Sequence, residues 1–176
     1  MKRLLAPFLI LGLLAAGTAA FTQSFSVSLG FRKGPVQPIA YSHRLHAGTM
    51  QISCLYCHYS AEKSPIANIP SAATCMGCHK VAAVDRPEIQ KLTSYYNSGQ
   101  TPPWVEVYRL PDYVKFNHKR HVRAGIECQQ CHGPVQEMDV MYQYPSLKMG
   151  WCLKCHRERL NDPRNPAPMD CLACHH

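Results

Sequence analysis

The sequence predicts a mostly irregular chain with short α-helices and little β structure, organised around covalently bound prosthetic groups and preceded by one N-terminal transmembrane helix. Three observations carry this expectation. All ten cysteines fall into C-x-x-C pairs, a histidine follows every pair at once, and one long uncharged run lies at the N-terminus. The five segments are Cys54/Cys57 with His58, Cys75/Cys78 with His79, Cys128/Cys131 with His132, Cys152/Cys155 with His156, and Cys171/Cys174 with His175. C-x-x-C-H is the attachment motif of c-type haem. Two thiols about one helical turn apart can form thioethers to both vinyl groups of one porphyrin, and the next imidazole points at the iron. The chain is therefore read as a multihaem cytochrome c with five c-type haems (haem c). Cys54, Cys57, Cys75, Cys78, Cys128, Cys131, Cys152, Cys155, Cys171 and Cys174 attach them. His58, His79, His132, His156 and His175 are the proximal iron ligands.

Two other chemistries use paired cysteines. Tetrahedral zinc takes four ligands per ion and gives no reason for a histidine directly after each pair. Thioredoxin-like dithiols occur singly on a βαβ pattern that this chain lacks. Ten cysteines are also too many for a free-thiol cytosolic protein and too regular for an arbitrary disulfide framework.

Lys and Arg outnumber Asp and Glu by 19 to 11, a formal charge of +8 that alone would suggest nucleic acid as a partner. Five haems bring about ten propionate charges, partly offset by the ferric cores, and leave the mature protein near neutral. No recognition-helix or aromatic-basic RNA pattern revives a nucleic-acid role.

The N-terminus comes next. After Lys2 and Arg3 the chain runs from Leu4 to Phe31 without a charge. Eighteen helical residues from Leu4 to Phe21 reach about 27 Å, close to the thickness of a bilayer core. Residues 1–33 are accordingly expected to form a single-pass anchor with its basic end in the cytoplasm. A cleaved signal peptide is the competing reading, because Ala16-Gly17-Thr18-Ala19-Ala20 offers small residues to a peptidase. Both readings send the haem-bearing part to the periplasmic side of the inner membrane.

Beyond residue 33 the chain is internally duplicated. Tyr41-Ser42-His43-Arg44-Leu45-His46 precedes Cys54 much as Phe116-Asn117-His118-Lys119-Arg120-His121 precedes Cys128. Each copy is followed by a second site, introduced by Ile69-Pro70-Ser71 and by Tyr144-Pro145-Ser146. The expected organisation is a first two-haem module over 34–80, an inter-module segment over 81–115, and a second two-haem module plus the fifth haem over 116–176.

The repeated H-x-x-H supplies the distal ligands. A haem iron with one histidine stays open unless a second side chain fills the opposite position, and that choice separates catalysis from electron transfer. Five histidines remain after the proximal set: His43, His46, His118, His121 and His176. Each H-x-x-H puts two imidazoles on one face of a helical turn, where they can serve two closely packed haems. His176 adjoins His175 and cannot serve the same iron, so Met149 competes with it as the fifth distal ligand, with Met138 or Met141 behind. A thioether there would raise that haem's potential. No catalytic side chain is expected.

The inter-module segment has no haem motif. Asp85 to Leu92 suits a helix with Pro87 in its first turn, and the alternation over Val105 to Leu110 suits a short strand. Trp104 and the tyrosines around it are expected to cover haem edges.

The two aromatic-x-H-x-x-H segments resemble those of the class III multihaem cytochromes c. The run from Pro103-Trp104-Val105-Glu106-Val107-Tyr108-Arg109-Leu110-Pro111-Asp112-Tyr113 to Val114-Lys115-Phe116-Asn117-His118, with Met149-Gly150-Trp151-Cys152-Leu153-Lys154-Cys155-His156-Arg157, looks like the pentahaem subunit of alternative complex III. That resemblance implies an electron-transfer subunit of a respiratory quinol:electron-acceptor oxidoreductase. Its partners would be an iron–sulfur subunit of molybdopterin-oxidoreductase type, integral membrane quinol-binding subunits, and a monohaem cytochrome c or terminal oxidase that takes the electrons. A related quinone-reducing complex, or a soluble periplasmic multihaem electron shuttle, are the alternative readings. A multihaem reductase would instead need an open iron.

Overall fold

The computed structural model describes residues 34–176. The expected anchor over 1–33 lies outside the described residues, among which no helix is long and apolar enough to cross a membrane. Those residues form short helices in otherwise irregular backbone, and none of them lies in a strand. Four of the five C-x-x-C segments sit on α-helices: α1 (Cys54–Cys57), α2 (Ala72–His79), α5 (Cys128–His132) and α6 (Met149–Glu158). The fifth lies on a 3₁₀ turn over Cys171–Ala173. One helical turn per motif is what brings both thiols of a pair to one side.

Helix α3 (Pro87–Ser98) is the longest described helix. Pro87 opens it where no amide donor is needed, Glu88 lies in its first turn, and Gly99 caps its end. It runs six residues beyond Leu92, where the sequence pattern pointed. Leu92 is buried with Ile39 and Met76, and Trp104, Ile89 and Tyr95 pack around them. Glu88 also ties α3 to the preceding module, accepting the Ala40 amide at 2.7 Å and Lys91 Nζ at 2.9 Å.

The strand expected over Val105 to Leu110 is absent. At its start a side chain takes the place of a neighbouring strand: the Gln37 side chain accepts from the Val105 amide and donates to the Val105 carbonyl, each at 2.9 Å. Period-two alternation signals an extended segment but cannot say whether a partner strand exists.

The two H-x-x-H turns are a π-helical turn over Arg44–Thr49, preceded by His43, and α4 (His118–Arg123). Asn117 Oδ1 accepts the Arg120 amide, and Ser42 Oγ accepts the Leu45 amide at the matching offset. The small polar residue of each repeat thus caps the turn that carries the histidines.

Each turn packs on a segment of the other half of the chain. The first turn lies on the 3₁₀ turn Val135–Glu137, just after the third attachment motif. There the Arg44 amide donates to the Met138 carbonyl at 2.9 Å, and Arg44 pairs with Asp139. Reciprocally, α4 lies on the segment after the first motif, where the His118 and Lys119 amides donate to the Pro65 and Ser64 carbonyls at 3.0 and 3.1 Å. Gly48 faces the Gln136 backbone so closely that a Cβ would collide with it.

Candidate haem sites

Seven histidines share one local arrangement. Nδ1 of His46, His58, His79, His118, His121, His156 and His175 lies 2.7–3.1 Å from a backbone carbonyl oxygen. A carbonyl only accepts, so Nδ1 carries the proton and Nε2 keeps its lone pair. Metal-bound imidazoles are held in this way, with the outer hydrogen bond fixing both tautomer and ring orientation.

The imidazoles also meet in pairs. His46 and His79 have ring centres 6.1 Å apart, His118 and His132 6.3 Å, and His121 and His156 6.1 Å. An imidazole nitrogen binds a transition metal at about 2 Å, so two rings on opposite sides of one ion have centres about 6 Å apart. Each pair joins one H-x-x-H histidine to the histidine of an attachment motif. His43 lies within electrostatic reach of His58 and His132, and burial followed by these neighbours lowers its pKa to about 4. Burial, with His118 and His58 beside it, likewise lowers His132 to about 4. Burial also lowers His121. Neutral imidazole is the form that ligates.

Aromatic rings set these orientations at both copies of the repeat. Tyr41 stacks on His46 at 4.4 Å and meets His43 edge-on at 4.8 Å. Phe116 stacks on His121 at 4.4 Å and meets His118 edge-on at 4.8 Å. Sequence reasoning noted these aromatics without giving them a role; the signal was their identical offset from H-x-x-H. Tyr108, one of the tyrosines expected to cover haem edges, meets the His132 ring at 4.6 Å. The Tyr108 hydroxyl reaches the His132 and Tyr142 carbonyls at 3.3 and 3.2 Å and accepts the Tyr144 amide at 3.1 Å, which ties the inter-module segment to the third motif.

All ten cysteines are free thiols, and none is fully buried. Burial first, then neighbouring thiols, raises the pKa of Cys57, Cys131 and Cys152. Two further facts fit porphyrin. Among the described residues the buried apolar side chains are only Ile39, Ala61, Met76, Leu92 and Met138, far too few to offset the chain entropy of a domain this size. Large apolar side chains such as Tyr56, Tyr59 and Leu172, all within or beside attachment motifs, are meanwhile exposed in the polypeptide alone.

The fifth motif is arranged differently. Tyr113 accepts from His175 Nδ1 through its carbonyl and stacks on the ring at 5.9 Å. His176 is exposed, Met149 is exposed at the start of α6, and Met138 is buried with its carbonyl bonded to Arg44. Neither Met149 nor His176 is brought into a ring contact with His175.

Residues 114–176 match the family model described as cytochrome c7 and related cytochrome c. The matched residues hold α4 and the third, fourth and fifth attachment motifs. The chain is also similar to the protein named menaquinone reductase, multiheme cytochrome c subunit, of Nitratidesulfovibrio vulgaris. Identity is 28% over 160 residues, covering 79% of this chain and 76% of that relative. These likenesses support a multihaem cytochrome c character, which implies c-type haems and a role in electron transfer.

Proposed function

We propose that this chain is the pentahaem electron-relay subunit of a membrane quinone oxidoreductase. The observation that carries the proposal is the set of imidazole pairs at 6.1–6.3 Å, each linking an H-x-x-H turn to an attachment motif. When bound, haem c supplies a one-electron iron couple whose potential depends on axial ligand, burial and surrounding hydrogen bonds.

The chain's own residues do the rest. The ten cysteines would hold the porphyrins by thioether bonds, and His58, His79, His132, His156 and His175 would be the proximal ligands. His43, His46, His118 and His121 would be the distal ligands, pairing in chain order: His43 with His58, His46 with His79, His118 with His132, His121 with His156. Met149 or His176 completes the fifth site. Carbonyl-bound Nδ1 atoms and the flat rings of Tyr41 and Phe116 keep the imidazoles from reorienting. Four sites with a histidine on each side would leave no open iron for a substrate there, so those haems would pass electrons without catalysing a bond change.

The uncharged run from Leu4 to Phe31 supports a single-pass anchor in the inner membrane with the haem part in the periplasm. The resemblance over Pro103 to His118 and Met149 to Arg157 supports the quinol-oxidising direction, as in alternative complex III. Electrons would arrive through an iron–sulfur subunit and leave to a cytochrome c or oxidase. A second reading, in which the complex reduces quinone, is favoured by the relative from Nitratidesulfovibrio vulgaris, whose name places it in a menaquinone reductase.

Purified assembly separates the two directions. Under the quinol-oxidising reading, a reduced quinol analogue added anaerobically reduces the haems, seen as growth of the sharp ferrous absorption band. Haems that stay ferric with quinol, yet are oxidised by quinone when reduced beforehand, establish the opposite flow. A pyridine haemochrome count well below five per chain sinks the pentahaem reading itself.

A further inference from the structure

We infer that the five attachment sites do not lie in space as they do in the chain: their order is second, first, third, fourth, fifth, with the first and third sites forming the joint between the two modules. This rests on the haem-binding reading above and concerns only where the chain puts its own ligands.

The joint is the best determined link. Helix α4 carries His118, the partner of His132, and rests on Ser64 and Pro65, which follow the first motif. His118 Nδ1 itself donates to the Pro65 carbonyl at 2.9 Å, so a ligand of the third site is oriented by backbone belonging to the first. Reciprocally, the turn carrying His43 and His46 rests on residues directly after the third motif. Cys128 is within electrostatic reach of Cys54, and His43, His58 and His132 are electrostatic neighbours.

The outer links follow from each H-x-x-H turn. His46 meets His79 at 6.1 Å, and His43, three residues before it, is within electrostatic reach of His58, which sets the second site beside the first. Tyr56 of the first motif has its hydroxyl beside Gly77 of the second, and Cys57 is within electrostatic reach of Cys75 and Cys78. His118 and His121 repeat the arrangement with His132 and His156, and Cys131 is near Cys152 and Cys155. The fifth site adjoins the fourth. His156 Nδ1 donates at 2.7 Å to the Pro168 carbonyl, three residues before Cys171, and Cys152 neighbours Cys174.

The consequence concerns the ends. The second and fifth sites are the two termini of the array, so partners that deliver and receive electrons are to be sought near α2 and near Cys171–Ala173. The first motif, although nearest the N-terminal segment in sequence, is interior to the array.

Iron-edge anomalous diffraction from crystals of the full chain, or of its assembly, tests the order. Five iron positions are located and assigned through their attached cysteines, after a pyridine haemochrome count. The expected result is five haems, with the first-to-third iron separation shorter than the second-to-third, and the fifth iron nearest the fourth. Five haems with the second iron closer than the first to the third overturns the order while leaving the haem reading intact. Fewer than five haems overturns that reading, and the order with it.

Discussion

At Tyr41 and Phe116 a single aromatic ring lies flat on one imidazole and edge-on to another, with centre distances that agree between the two copies. The H-x-x-H histidines stood out in the sequence because each iron needs a second ligand, and the structure places His46, His118 and His121 each about 6 Å from an attachment-motif imidazole. The orienting role of the aromatics was not legible there, because an aromatic beside a histidine carries no signature until the rings are placed. Nor could spacing alone pair distal with proximal histidines, a long-range matter decided by how the halves of the chain dock. The His118 and His132 planes are nearly parallel, at 8°, whereas those of His46 and His79 are twisted by 64°. Ferric low-spin iron responds to that angle, and near-parallel rings give a more rhombic electron paramagnetic resonance signal. If His118 ligates iron, replacing it with alanine should remove a rhombic low-spin signal and bring in one high-spin haem. The haemochrome count should stay unchanged, because the Cys128 and Cys131 thioethers remain. An unaltered low-spin spectrum from H118A would show that His118 is not an iron ligand.

Among the elements, the helices at the C-x-x-C motifs and at Pro87 were legible, since thiol spacing and a proline at a helix start are local signals. The strand over Val105 to Leu110 is absent because alternation marks an extended segment but not a partner strand; at Val105 a glutamine side chain from a distant segment takes the partner's place. Helix α5 shows how tightly an attachment motif is ended. Gly133 follows His132 with φ at +71°, and the Tyr144 ring fills the space a Cβ would need. A left-handed backbone costs a non-glycine residue about 1–2 kcal/mol, and crowding adds about 1–3 kcal/mol. Gly133→Ala should therefore destabilise the haem-loaded protein by at least about 2 kcal/mol, read as a lower midpoint in guanidinium unfolding. A midpoint within error of the parent would contradict that packing. Tyr108 acts on the same element from the inter-module segment. Its replacement by phenylalanine removes a hydroxyl bonded to the His132 and Tyr142 carbonyls and the Tyr144 amide, and should cost about 1 kcal/mol in the same assay.

At the scale of the molecule, so few buried side chains among the described residues mean that this part of the polypeptide does not carry its own interior. Chain made in cells lacking the machinery that attaches haem should give exchange-broadened amide spectra and rapid proteolysis, whereas matured chain should resist both. A folded, protease-resistant apoprotein would show that the polypeptide packs without porphyrin. The duplication was legible from repeated motifs, but its three-dimensional form was not: two tandem beads would have satisfied the same sequence. The structure instead crosses them, each histidine turn seated on the opposite half. A break in the covalent thread between Ser98 and Pro102 should therefore be tolerated. Separately translated halves, each matured in the periplasm, ought to find one another and co-purify, much as complementing fragments of split reporters do.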